Sequence, residues 1–125
     1  MNFMLSCVVV DDDKNVTEMF SEVLNLNGLE VLGKGYDGKQ AIELYKEHKP
    51  NILFVDVNMP VYDGFYAIEN IKKDFPDAKI VVITGDFTME RQKRLKELNV
   101  TGVIYKPFEL DQIKNVLLEE YEIRT

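Results

Sequence analysis

Leu5-Ser6-Cys7-Val8-Val9-Val10-Asp11-Asp12-Asp13 is a nearly unbroken apolar run that ends in a row of carboxylates. A strand with one face in water alternates polar and apolar residues. A strand covered on both faces does not, and consecutive valines suit the middle of a buried sheet. The same figure returns at Ile52-Leu53-Phe54-Val55-Asp56, at Ile80-Val81-Val82-Ile83-Thr84-Gly85 and, more briefly, at Val103-Ile104-Tyr105-Lys106-Pro107. Leu29 to Leu32 is a weaker run of the same kind.

Between these runs lie segments of helical period. Val16, Met19, Phe20, Val23 and Leu24 recur at helix spacing, and Gly28 follows as a stop signal. Gly38 to His48 places Ala41, Ile42 and Tyr45 on one face. Phe65, Ile68 and Ile71 mark a third helix that ends near Pro76. Met89 to Leu98 is highly charged with a thin apolar stripe of Met89, Leu95 and Leu98, and Leu110, Ile113, Leu117 and Tyr121 line a last helix. Strand and helix thus alternate five times. That alternation predicts an α/β fold: a five-stranded parallel sheet with right-handed crossovers and helices on both faces, a doubly wound (βα)5 unit. In such sheets ligands bind beyond the carboxyl ends of the strands.

The chain has 125 residues, enough for one domain over residues 1–125 and its own core, with no output domain expected. Charged residues make up 30% and the net charge is −7, a field that repels nucleic acid and anionic membranes. Cys7 is the one cysteine, so no internal disulfide forms, and its apolar setting predicts a buried, inert thiol. No basic leader precedes the first strand, and no apolar run approaches the ~20 residues that span a bilayer. These features predict a cytoplasmic protein.

The strand ends therefore carry the functional question. The first ends in Asp11 and Asp12, the third in Asp56 followed by Asn58, the fourth in Thr84-Gly85 and the fifth in Lys106-Pro107. Clustered carboxylates raise one another's pKa, and a hard divalent cation removes that repulsion. Mg²⁺ fits, because it binds through one or two carboxylates and keeps several waters; a carbonyl near Asn58 would add an oxygen. Asp56, at the end of an apolar strand, suits a nucleophile; Lys106 would pair with a phosphoryl oxygen and Thr84 would donate to it. Asp13 reads differently, as the cap of the first helix. His48, the single histidine, reads as a solvated surface residue.

Taken together, Val9-Val10-Asp11-Asp12-Asp13, Phe54-Val55-Asp56-Val57-Asn58-Met59-Pro60 with Asp63-Gly64, Val82-Ile83-Thr84-Gly85 and Tyr105-Lys106-Pro107-Phe108 resemble the receiver domain of two-component response regulators, including single-domain chemotaxis regulators. The resemblance covers essentially the whole chain. It implies the flavodoxin-like strand order 2-1-3-4-5. It also implies that Asp56 is the phosphoacceptor, that Asp11 and Asp12 form the acidic pocket with Asp12 a direct Mg²⁺ ligand, and that the Asn58 carbonyl completes the metal site. Thr84 and Lys106 would sense the phosphoryl group, and the Lys106–Pro107 peptide would be cis. The donor would be a sensor histidine kinase or phosphotransfer protein, and the output a change in the face made by the fourth helix, fifth strand and fifth helix. By this reading the protein is a phosphoacceptor that assists its own phosphorylation and dephosphorylation, not an enzyme in the ordinary sense.

The match departs at Val103, where the family often carries an aromatic that turns inward on activation; Tyr105 and Phe87 are the candidates for a similar part. Tyr62 stands where Met is frequent. Asn58 and Asp86 occupy positions at which the family tunes the lifetime of the phosphorylated state, and two polar residues there suggest a short-lived signal.

Rival readings remain. Gly33-Lys34-Gly35-Tyr36-Asp37-Gly38 is a literal G-x-G-x-x-G between a strand and a helix, the fingerprint of dinucleotide binding. Against it, the motif follows the second strand, and the aspartates would crowd a pyrophosphate. A metal-dependent phosphatase using Asp56 would need a substrate pocket that no inserted segment supplies. A degenerate receiver serving only for protein interaction conflicts with the full set of site residues.

Overall fold

The computed structural model describes residues 5–86, 88–107 and 110–121, apart from the side chains of residue 110 and residues 117–121. Strands β1 (Leu5–Val10), β2 (Leu29–Gly35), β3 (Ile52–Asp56), β4 (Ile80–Thr84) and β5 (Gly102–Tyr105) alternate with helices α1 (Lys14–Leu26), α2 (Gly38–His48), α3 (Gly64–Asp74), α4 (Met89–Glu97) and α5 (Leu110–Tyr121). The strands form one parallel sheet in the order β2-β1-β3-β4-β5. The sheet and its strand order agree with the sequence reading.

The continuous apolar runs feed two cores at once, because successive side chains of a strand point to opposite faces. Val8, Val10, Leu53, Val55, Ile80 and Val82 meet Tyr45, Phe65, Ile68, Ile71 and Leu95 from α2, α3 and α4. Cys7, Val9, Ile52, Phe54, Val81, Ile83 and Ile104 meet Phe20 and Leu24 of α1 and Ile113 of α5. Phe20 and Phe54 pack edge to face with ring centroids 5.2 Å apart. Each such side chain contributes roughly 1.5–3 kcal/mol relative to exposure.

Short polar residues start α1 to α4. The side chain of Asp13 accepts from Asn15 N and Val16 N, Asp37 from Gln40 N, Asp63 from Tyr66 N, and Thr88 from Arg91 N. Asp13 is thus the cap that the sequence suggests.

Three expectations need correction. β2 runs on to Gly35, so Gly33 and Gly35 lie inside a strand and only Tyr36 and Asp37 separate β2 from α2. A Cβ on either glycine would press on the methyls of Leu44, at 2.9 Å and 3.0 Å, so these glycines serve strand–helix packing and no phosphate-binding loop forms there. Met89 is 86% exposed, which leaves Leu95 as the buried residue of α4, with Leu98 half-buried just beyond it. His48 is half-buried, with its ring 3.6 Å from where a Gly33 Cβ would sit. Phe87, Phe108 and the side chains of Leu110, Leu117 and Tyr121 lie outside the described residues.

Candidate functional site

Register brings the strand ends together. Val10 is paired with Val55 across β1 and β3, so the next residues, Asp11 and Asp56, emerge side by side. Asp56 is aligned with Ile83 of β4, and Thr84 with Tyr105 of β5, which puts Thr84 and Lys106 at the same end of the sheet. Lys106 N donates to Thr84 O at 2.8 Å, and the Lys106–Pro107 peptide is cis, as expected.

Lys106 Nζ donates to Asp11 Oδ2 at 2.7 Å and to Asp56 Oδ2 at 2.8 Å. The other oxygen of each carboxylate accepts from its own loop: Asp13 N donates to Asp11 Oδ1 and Asn58 N to Asp56 Oδ1, both at 2.9 Å. Thr17 Oγ1 donates to Asp11 O at 3.0 Å and Asp13 O at 3.1 Å, so buried Thr17 fastens the β1–α1 loop from below. Asp11, Asp56 and Thr84 are buried, whereas Asp12 is exposed.

Burial pushes the Asp56 carboxyl above its usual range; the hydrogen bonds from Lys106 and Asn58 and the Lys106 charge oppose that, and the Asp11 charge adds to it. For Lys106 burial works against the ammonium, but the hydrogen bonds and charges of Asp11 and Asp56 outweigh it, and its pKa lies above the usual value.

Asp11, Asp12 and Asp56 each offer a carboxylate oxygen within 4.8 Å of the others. Counted as ionised against the single Lys106 ammonium, they leave two surplus negative charges, the match of a divalent cation. The donors are all hard oxygens; those of Asp11 and Asp56 keep a further lone pair beyond their present hydrogen bonds, and exposed Asp12 opens the cluster to solvent. This donor set fits Mg²⁺, which keeps several of its waters.

Every site residue expected from the sequence therefore lies on this one edge, with Asn58 present through its N–H and exposed. The sequence reading missed Arg91. Thr84 Oγ1 accepts from Asp86 N at 3.0 Å; Asp86 Oδ1 accepts from Thr88 N and Asp86 Oδ2 from Arg91 Nε, each at 2.9 Å. The Thr88 backbone hydrogen bond in the first place, and the Arg91 charge further, hold the Asp86 carboxyl below its usual range. The guanidinium carbons of Arg91 and Arg94 lie 5.5 Å and 4.1 Å from the centre of the Phe65 ring. The available signal was an acid five residues before an arginine at a helix start, which is too common to single out.

Residues 7–118 match the response regulator receiver domain. The chain belongs to the response regulator receiver family. Chemotaxis protein CheY of Bacillus subtilis (strain 168) is 33% identical to this receiver over 109 residues, covering 85% of this chain and 88% of the relative. CheY of Thermotoga maritima is 34% identical over 113 residues, covering 88% and 92%. Among solved structures, Vibrio cholerae chemotaxis protein CheY4 superposes with a TM-score of 0.86 at 26% identity, covering 94% of this receiver and 98% of that chain. Receiver domains are phosphoacceptors and not classical enzymes, they generally bind Mg²⁺ at the acidic pocket, and they interact with kinases or phosphotransfer proteins. No described helix of this receiver is long and apolar enough to cross a membrane.

Proposed function

We propose that this protein is a stand-alone receiver whose Asp56 accepts a phosphoryl group from the phosphohistidine of a partner kinase or phosphotransfer protein. One observation carries the assignment: Lys106 Nζ bridges Asp11 and Asp56 at 2.7 and 2.8 Å inside a three-carboxylate pocket. The stand-alone reading draws on the two CheY relatives, 88% and 92% of whose length the match covers.

A carboxylate oxygen of Asp56 forms the new O–P bond as the donor's N–P bond breaks, and the electron pair leaves with the imidazole nitrogen, which a proton neutralises. Asp11, Asp12 and Asp56, with the carbonyl of Asn58, would hold Mg²⁺, which when bound neutralises charge on the carboxylates and the transferring group. Asn58 N–H and Lys106 orient Asp56 beforehand. After transfer the acylated carboxylate no longer carries a full charge, so the phosphoryl oxygens become the better acceptors for Lys106 and for the Thr84 hydroxyl. The same residues would place the water that later hydrolyses the acyl phosphate.

Movement of Thr84 toward the phosphoryl group breaks its contact with Asp86 N, and Asp86 is tied to Thr88 and Arg91 at the start of α4. This hydrogen-bonded chain offers a route to α4 where Val103, packed half-buried in the core, replaces an aromatic. The outcome is a shift in the α4–β5–α5 face, limited by the difference in contact energy between its two positions.

Incubation with acetyl phosphate and Mg²⁺ should add one phosphoryl group by intact mass, and Asp56→Asn should remove the addition. Labelling that persists in that variant defeats the assignment. Asp12→Ala should abolish Mg²⁺ binding in a calorimetric titration; unchanged affinity would mean the pocket holds no such ion.

A further inference from the structure

We propose that Gly38, at the start of α2, is a positioning residue for the acidic pocket, holding the β3–α3 loop through a backbone contact that no larger residue permits. The inference rests on the reading of Asp11, Asp12 and Asp56 as a Mg²⁺ site.

Gly38 N donates to Tyr62 O at 2.6 Å. A Cβ on Gly38 would overlap the carbonyl oxygen of Asp63 and come within 2.8 Å of Tyr62 O. Both obstacles are backbone, so neither can swing aside. Gly38 is buried, and its φ does not require glycine; closeness is what excludes a side chain. The loop on the other side of this contact needs an outside hold. Val61, a β-branched residue, has φ 65°, a strained conformation that persists only where the surroundings enforce it.

The loop has a second glycine contact of the same type. A Cβ on Gly64 would overlap Asp56 O and lie 2.6 Å from Val57 Cα, and Gly64 N donates to Val57 O at 3.2 Å. The backbone thus forms a stack: α2 at Gly38 presses on Tyr62 and Asp63, and α3 at Gly64 presses on Asp56 and Val57. Asn58, whose N–H holds Asp56 Oδ1 at 2.9 Å, lies in the loop that this stack closes. A displacement at Tyr62 is transmitted to Asn58 and to the aim of Asp56. The last glycine of the G-x-G-x-x-G match therefore serves a carbonyl pair more than twenty residues away, and no dinucleotide.

The test uses Gly38→Ala in the full chain, with Gly33→Ala as control, since the three atoms nearest a Gly33 Cβ belong to the side chains of Leu44 and His48 and not to backbone. Calorimetric titration with Mg²⁺ should show affinity weakened about tenfold for Gly38→Ala, the scale of losing a group that orients metal ligands, and unchanged for Gly33→Ala. Phosphorylation by acetyl phosphate should recover near wild-type rate at saturating Mg²⁺, a split that simple loss of folded protein would not produce. Amide hydrogen exchange gives a metal-independent arm: the Asn58 amide should lose protection in Gly38→Ala and keep it in Gly33→Ala. Wild-type protection of Asn58 in Gly38→Ala overturns the proposal, as does an equal loss in both variants. Absence of Mg²⁺ binding by the wild type would instead refute the pocket reading, with the exchange arm still deciding the role of Gly38. If Gly38→Ala does not fold, Gly38→Ala/Val61→Gly takes its place, since glycine relieves the positive φ; restored folding with Asn58 unprotected supports the role, and a protected Asn58 refutes it.

Discussion

Asp56 sits at the end of a fully buried strand, and burial lifts its carboxyl above the ordinary value of 3.8. A folded state that raises an acid's pKa gains stability from the protonated form; that contribution is complete below the ordinary value and is lost as pH climbs through the folded one. At neutral pH ionised Asp56 therefore costs stability, offset in part by Lys106. In metal-free buffer, Asp56→Asn should raise the unfolding free energy by about 1 kcal/mol, since Lys106 keeps Asp11 as partner at 2.7 Å. Urea denaturation should show this gain at neutral pH and its disappearance as pH falls toward 3.8; a gain independent of pH would assign the effect to packing. Cys7 is the opposite case, a buried thiol pushed up to about 12 by desolvation first and the Glu30 charge second. Iodoacetamide should leave it unmodified in the native protein at neutral pH and label it completely in denaturant. Asp11, Asp56, Thr84 and Lys106 are readable because each closes an apolar run, where a polar side chain costs stability unless a partner or ligand meets it. Gly38 is not, because its partners, the carbonyls of Tyr62 and Asp63, become neighbours only after folding.

Among the elements, α4 is held differently from the rest. Leu95 is its buried side chain, while Arg91 pairs with Asp86, Arg94 with Glu69, and both guanidinium groups lie over Phe65. Truncating the anchor should release the helix locally before the molecule unfolds. Leu95→Ala should speed amide exchange in α4 about a hundredfold, the equivalent of a core leucine deletion, with β1 and β3 little affected. A uniform increase across the sheet would show that α4 belongs to the global folding unit. Element boundaries are legible where a capping residue follows a run, as at Asp13. They fail at the end of β2, where Gly33 and Gly35 look like a loop until Leu44 packs over them. They fail also for Met89, because a three-residue stripe does not say which flank the sheet will cover.

At the scale of the whole molecule, parallel register converts positions scattered from Asp11 to Lys106 into one pocket, which alternation alone makes predictable. Binding of Mg²⁺ to the folded pocket and not to the unfolded chain should stabilise the protein by about 2.7 kcal/mol at a hundredfold excess over the dissociation constant. Thermal melts with Mg²⁺ and with chelator should differ accordingly, and Asp12→Ala should remove the difference; equal melts in the wild type would count against a resident cation. Among the described residues, the apolar cores that carry the sheet hold no charge pairs for ions to screen, but the tie between α4 and α3 is an ion pair. Arg94 and Glu69 meet directly at the surface, 2.9 Å apart and each 49% exposed. Mobile ions screen such charges over about 8 Å at physiological ionic strength. Added salt therefore slackens the grip on α4 before it disturbs the interior, and the face that would signal the state of Asp56 also responds to the ionic strength of the surrounding fluid.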